Sequence, residues 1–285
     1  MRYTIFSILL ALPLSGCFLH SDEKIPSADG IYSGTIATAG GGTDMIAAVI
    51  DSNGHGLIID TTSPAIYRFT VPKPDNDGNF TSSYTAFASS GFGVSNSTTS
   101  SSGTLSGTVV GKAASGIGVH STTRDKIYGT LNVSGTTGLA FTLDYNSTAY
   151  ENNALPLATL VGPSKTTGLA PTVKFSYTTT SGASTVTTNV TFDFSGTTQL
   201  TSVAGEPYTF TGADDQGCTY TGQISMPSGN NAYELTIKNN CTSATLTGLA
   251  EYNPPSGLET GGSLSLEYDD NSSFAVAAAN ATLKY

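Results

Sequence analysis

Three histidines, His20, His55 and His120, are the first candidates for acid–base or metal chemistry in this 285-residue chain. No His-x-x-x-His, His-Glu-x-x-His or Cys/His cluster gives transition-metal spacing. No Gly-x-Ser-x-Gly turn presents a serine nucleophile, so a hydrolytic site would have to gather dispersed residues, for example His120 with a distant Asp and Ser. Asp51-Ser-Asn53-Gly-His55-Gly56 begins like a calcium-binding EF-hand loop, but its fifth position is His and its twelfth is Thr62, where a bidentate Glu belongs. Asp75-Asn-Asp77-Gly78, Asp214-Asp215 and Asp269-Asp270-Asn271 are too short to define a cation site, and the demands of tight turns explain them. Gly107-Thr-Val-Val-Gly-Lys112 lacks the spacing and the hydroxyl of a phosphate loop. The residue types thus predict no catalytic residue, no metal and no cofactor.

The N-terminus carries clearer chemistry. Arg2 precedes an apolar run from Ile5 to Leu14, too short to cross a bilayer, and Leu14-Ser15-Gly16-Cys17 follows. These residues resemble the lipobox of bacterial lipoproteins. The resemblance implies cleavage before Cys17, a diacylglyceryl thioether on its sulfur and a third chain, such as palmitate, on the new amine. Two or more acyl chains hold a protein on a membrane stably where one does not. Phe18 stands where an Asp would favour inner-membrane retention, so the expected destination is the outer membrane, facing either the periplasm or the exterior. The domain reading is a signal peptide over 1–16, a lipidated tether over 17–29, an N-terminal β lobe over 30–150, a connector over 151–168 and a C-terminal β lobe over 169–285.

With Cys17 assigned to lipid, Cys218 and Cys241 remain as a pair in an exported, disulfide-permissive chain. They bracket two alternating runs, 218–226 and 232–241, on either side of the turn-rich Pro227-Ser-Gly-Asn-Asn231. Antiparallel pairing with residue numbers summing to 459 sets Ile224 opposite Leu235, Gly222 opposite Ile237 and Cys218 opposite Cys241. Thr219, Thr221, Gln223, Glu234, Thr236 and Lys238 then share the other face. One register satisfies both the hydrophobic alternation and a cross-strand disulfide. Closing a loop of about 23 residues contributes roughly 3 kcal/mol in the chain-entropy picture. No Cys-x-x-Cys motif or adjacent cation marks the pair as redox-active.

Most of the chain reads as short alternating strands, clearest at 186–194 and 139–145, separated by Gly/Asn/Asp/Pro breakers roughly every ten residues. The prediction is an all-β fold: two antiparallel β lobes, of sandwich or small-barrel type, after a lipidated tether. A single continuous domain and a transmembrane barrel are the alternatives, and the strands are short for the latter. Segment 89–104 reads as a mobile loop, and a short helical turn is expected around Leu157–Leu160. A recurring pattern of a large residue, Ser or Thr, then Gly (Tyr32-Ser-Gly34, Leu105-Ser-Gly107, Tyr220-Thr-Gly222, Leu246-Thr-Gly248) predicts curved sheets in which a neighbouring ring crosses the glycine or the strand bends.

Composition agrees. Only 11 % of residues are charged, 79 are Ser or Thr, and the net charge of −10 becomes −11 once Arg2 is removed. Without clustered cations the chain is a poor partner for nucleic acid. Its 26 Tyr plus Phe are enough to build cores. The stretch Asp215-Gln-Gly-Cys218-Thr-Tyr-Thr-Gly-Gln-Ile224, with Tyr233–Ile237, Cys241 and Thr247–Ala250, resembles a C-terminal pattern in predicted proteobacterial lipoproteins of unassigned function. On architecture alone, the chain is similar to surface lipoproteins of the transferrin-binding and factor-H-binding type. The C-terminal resemblance carries no activity with it; the lipid anchor, the β lobes and the lack of a catalytic constellation in the sequence lead to the expectation of a non-enzymatic binding or structural role at the outer membrane. The expected partners are the membrane, through Cys17, and an envelope or host protein or glycan. An envelope hydrolase and a lipocalin-like carrier of a small apolar ligand are the rival expectations.

Overall fold

The computed structural model describes residues 26–63, 65–88, 94–95, 100–111, 124–133, 138–155, 160, 171–181, 184–194, 207–242, 244–255, 262–270 and 275–284. Residues 17–25 of the tether, with Cys17 and its lipobox, His20 and His120 lie outside them. Of the loop expected at 89–104, residues 89–93 and 96–99 also lie outside, but 94–95 and 100–104 are strand, since Ser100–Thr104 pair with Ser83–Phe87 through backbone groups that a Ser/Thr-rich sequence supplies as well as any other. What is described is almost entirely antiparallel sheet, folded into two eight-stranded barrels.

The first barrel is a closed meander. Its strands are β1 (Gly30–Ala37), β2 (Thr43–Ile50), β3 (His55–Asp60), β4 (Ala65–Thr70), β5 (Asn79–Ala88), β7 (Ser100–Gly111), β8 (Arg124–Val133) and β9 (Leu139–Tyr145), and β1 closes on β9 with Tyr32 opposite Tyr145. A two-residue strand, β6 (Val94–Ser95), leaves the barrel between β5 and β7. The second barrel comprises β10 (Thr172–Ser181), β11 (Ser184–Asp193), β12 (Tyr208–Asp214), β13 (Thr219–Ser225), β14 (Tyr233–Asn239), β15 (Thr245–Asn253), β16 (Ser263–Asp269) and β17 (Ala275–Lys284). Its closure is narrow. β10 meets β17 only over Thr172–Lys174, and further along β17 the first barrel's β6 pairs with Ala275 and Val276.

Alternation explains both cores. With a side-chain period of two, every second residue points inward. In the first barrel Tyr32, Ile36, Ile46, Ile58, Phe69, Phe80, Tyr84, Leu105, Ile127, Phe141 and Leu143 fill the interior. In the second, Phe192 and Phe210 lie with ring centroids 4.7 Å apart, and Phe175, Phe194, Tyr220, Tyr233 and Tyr268 complete an aromatic centre. An eight-stranded barrel is just wide enough for such side chains to fill it. The outer faces carry hydroxyls instead: Thr81 and Ser83 on β5, Thr219, Thr221 and Gln223 on β13, and Thr236 and Lys238 on β14 are all exposed. An apolar inside with a hydroxylated outside reverses the pattern of a barrel that faces lipid.

The β13–β14 hairpin has the register that the sequence demanded. Gly222 faces Ile237 and Ile224 faces Leu235. Two residues beyond the ladder's last pair, Tyr220 and Asn239, Cys218 and Cys241 are joined by a disulfide with Cα atoms 5.6 Å apart. At Gly222 the Phe210 ring of the neighbouring strand lies across the glycine, in space that a β-carbon would occupy. A π-helical turn, Thr148–Asn152, follows the first barrel. That turn falls before the helical turn expected around Leu157–Leu160, where Leu160 alone is described, in helical conformation and fully buried.

Candidate functional site

A group of ionisable side chains gathers where the barrels meet. β3 is apolar on both faces: Ile58 points into the first barrel, while Leu57 points out and packs with Ile66, Phe87 and Leu249 of the second barrel. A strand hydrophobic on both sides is one that is covered on both sides. On β16, Leu264, Leu266 and Tyr268 fill the second barrel, so Ser265, Glu267 and Asp269 must face outward. Glu267 and Asp269 are nevertheless buried, because the first barrel covers them.

Arg68, outward-facing on β4, enters this contact. Its Nη1 lies 2.5 Å from Asp269 Oδ1 and its Nη2 donates to Thr247 Oγ1 at 2.7 Å. Burial, and after it the neighbouring Asp269 carboxylate, push the Glu267 carboxyl far above its ordinary range, although the Arg68 charge pulls the other way. The two carboxyls are close enough for Asp269 to act on Glu267 both by its charge and by a side-chain hydrogen bond, each of which favours a proton on Glu267. Beside them runs a cavity of ≈ 150 Å³, lined by Ile31, Val49, Leu57, Ile59, Leu249, Glu251 and Glu267 among others. Burial raises Glu251 to about 7, against a weaker lowering by its hydrogen bond with Ser265.

At one edge of the seam, the β2–β3 turn meets β14. Asp51 Oδ1 accepts the backbone N–H groups of Asn53 and His55 at 2.8 and 2.9 Å, and Gly54 takes φ +84°, a left-handed conformation that suits glycine. The turn thereby aims Asp51 Oδ2 at His55 Nδ1, 3.1 Å away. Glu234 of the second barrel brings Oε1 to 3.1 Å from the same nitrogen and also accepts from Asn53 Nδ2 at 2.7 Å. Burial raises Asp51 to about 6, with its hydrogen bond to Glu234 adding to the effect. Burial would raise Glu234 too, but hydrogen bonds from Asp51, Asn53 and His55 outweigh it and hold Glu234 below its ordinary value. Of the two carboxyls, Asp51 is therefore the one that takes up a proton first as pH falls.

A second set of ties fastens the π-turn. Tyr150 is fully buried and its hydroxyl donates to Asp29 Oδ2 at 2.7 Å, while Arg124 pairs with the same carboxylate at 2.7 Å and lies 5.3–5.4 Å from the centroids of the Tyr145 and Tyr150 rings. Asn231 in the β13–β14 turn donates through Nδ2 to Ala149 O and Tyr252 O, both at 2.8 Å, and accepts from Tyr252 N at 2.7 Å.

Of the acidic turns, Asp75 caps its loop by accepting from Asp77 N and Asn79 N, and Asp214 does the same for Gln216 and Cys218, as turn chemistry predicts. Asp51 and Asp269 do more than that: they meet side chains of the other barrel. Sequence reasoning assigned His55 and Asp51 to a turn and missed Glu234, Arg68, Glu251 and Glu267 altogether. The one available signal was β3, whose apolar residues do not alternate. Compared with known protein families, curated proteins and solved structures, the chain matches none.

Proposed function

We propose that this chain is a lipid-anchored cell-envelope protein with a non-enzymatic binding or structural role at the outer membrane, held there by acyl chains on Cys17. The observation that carries the reading is the seam. Charged and polar groups there tie one barrel to the other, and the outer faces are rich in hydroxyls. The Leu14-Ser15-Gly16-Cys17 segment supplies the anchor, and a disulfide between Cys218 and Cys241 accords with an exported chain. Exposed Thr and Gln rows on β13 and β14 suit hydrogen bonding to an envelope or host protein or a glycan. Metabolic labelling with palmitate tests it. Wild-type protein should take up label and fractionate with outer membrane, and Cys17→Ala should lose both; an unlabelled wild type overturns the reading. Protease shaving of intact cells then separates a surface-facing protein from a periplasmic one.

A second reading, a carrier of a small apolar ligand, is favoured by the cavity of ≈ 150 Å³ beside Leu57, Leu249 and Glu267. That cavity lies between the barrels, whereas the barrel interiors are filled by side chains. Native mass spectrometry of protein extracted from membranes discriminates: a co-purifying small molecule lost from Leu249→Trp supports the carrier, and bare protein removes it.

A further inference from the structure

We propose that Asp51, His55 and Glu234 form a binding site for a first-row divalent metal ion, with Zn²⁺ as its reference occupant, and that this ion ties the first barrel to the second. The donor atoms already converge. Asp51 Oδ2 and Glu234 Oε1 each lie 3.1 Å from His55 Nδ1, and all three lie within 4.8 Å of one another. Ligands at 2.0–2.2 Å from one tetrahedral ion are about 3.3 Å apart, so only small shifts separate this arrangement from coordination. A ring nitrogen carries at most one proton and makes one good hydrogen bond, yet here it faces two carboxylate oxygens. A cation between the three satisfies every donor at once. Two carboxylates with a neutral imidazole also match a divalent charge.

The surroundings hold the ligands as a metal site requires. Backbone N–H groups of Asn53 and His55 fix Asp51 through its other oxygen, and Asn53 Nδ2 fixes Glu234. The Asp51 side chain is fully buried, Glu234 is 27 % exposed and His55 50 %, so an ion enters from the His55 side. A cavity of ≈ 160 Å³, bordered by His55, Glu234, Arg68 and Thr236, leaves room for water in the remaining coordination positions. The imidazole selects against Ca²⁺ and Mg²⁺, which take oxygen ligands, and favours the ions that imidazole suits. The abortive calcium-loop motif at 51–56 thus turns into a different site: His55 stands where an oxygen ligand would, and Glu234 arrives from the other barrel in place of the missing Glu.

The test is calorimetric titration of detergent-solubilised, EDTA-stripped full-length protein with ZnCl₂, with CaCl₂ in parallel and thermal unfolding of the same samples. One Zn²⁺ should bind at micromolar Kd or tighter, and a hundredfold excess over Kd should raise Tm by about 5 °C, with Ca²⁺ inert. His55→Ala and Glu234→Gln should each weaken Zn²⁺ binding at least tenfold, and a His20→Ala/His120→Ala double variant should leave it unchanged. Because Glu234→Gln keeps the shape of the side chain, its circular dichroism in EDTA should match the wild type. Absence of Zn²⁺ binding overturns the proposal, as does binding that survives Glu234→Gln or disappears with His20 and His120.

Discussion

Arg68 of the first barrel and Asp269 of the second lie 201 residues apart in sequence and 2.5 Å apart in space, with the Asp269 side chain completely buried. A buried carboxylate deprived of its cation is among the costlier defects a fold can carry. Arg68→Met should therefore destabilise the protein by about 3 kcal/mol in urea denaturation, with Arg68→Lys intermediate. A Met variant as stable as wild type would show that the pair does not fasten the seam.

The β13–β14 hairpin should outlive its disulfide. Its register rests on Ile224, Leu235 and Ile237, which would face the core in any case. Replacing both Cys218 and Cys241 by Ser should cost roughly 3 kcal/mol of stability while leaving amide exchange protection along β13 and β14 in place. Loss of that protection would mean that the cross-link, and not the alternation, sets the pairing.

Glu251 predicts a pH dependence with a definite sign. Its carboxyl titrates near 7 in the folded protein and near 4.5 in the ordinary case. Between those values the folded state holds a proton that the unfolded chain releases, so stability is greatest below about 4.5 and falls as pH rises toward 7. Glu251→Gln should flatten this slope, leaving the part that Asp51 and Glu267 contribute, and at pH 8 be more stable than wild type by on the order of 2 kcal/mol. Denaturation midpoints of both proteins from pH 4 to 8 read it directly; parallel curves would contradict it.

The glycine pattern predicts a contrast. A β-carbon at Gly222 would collide with the Phe210 ring and come within 2.7 Å of Thr236 O, whereas one at Gly40 meets nothing within 4 Å. Gly222→Ala should lose about 1–3 kcal/mol. Gly40→Ala should stay within about 0.5 kcal/mol of wild type in the same measurement.

Much of this architecture can be read from the chain, because barrel strands announce themselves locally. Alternation locates most strands within a few residues, although the Ser/Thr/Gly run at 89–104, read as a loop, contains β6 and the first five residues of β7; the cysteines with their flanking apolar residues fix one hairpin register outright. The seam is illegible for an equally physical reason. Glu267 and Asp269 occupy the outward positions of β16, where alternation assigns a charged residue to solvent, and only the arrival of another sheet changes that assignment. Glu234 belongs to a row of polar residues on β14 and gives no hint of His55, 179 residues away. Periodicity reports which face a residue is on; it does not report what lies against that face.

The seam also has a consequence in time. A chain delivered N-terminus first can close its first barrel as soon as β9 pairs with β1, while the second is still missing. Leu57, Ile66 and Phe87 then stand bare until β15 brings Leu249, and Arg68 waits for Asp269 on β16. For that interval the half-made protein carries an adhesive patch that the finished one hides, the kind of surface on which folding chains aggregate. Folding must therefore outrun such encounters or be escorted through them, so the first barrel depends on the second before the second exists.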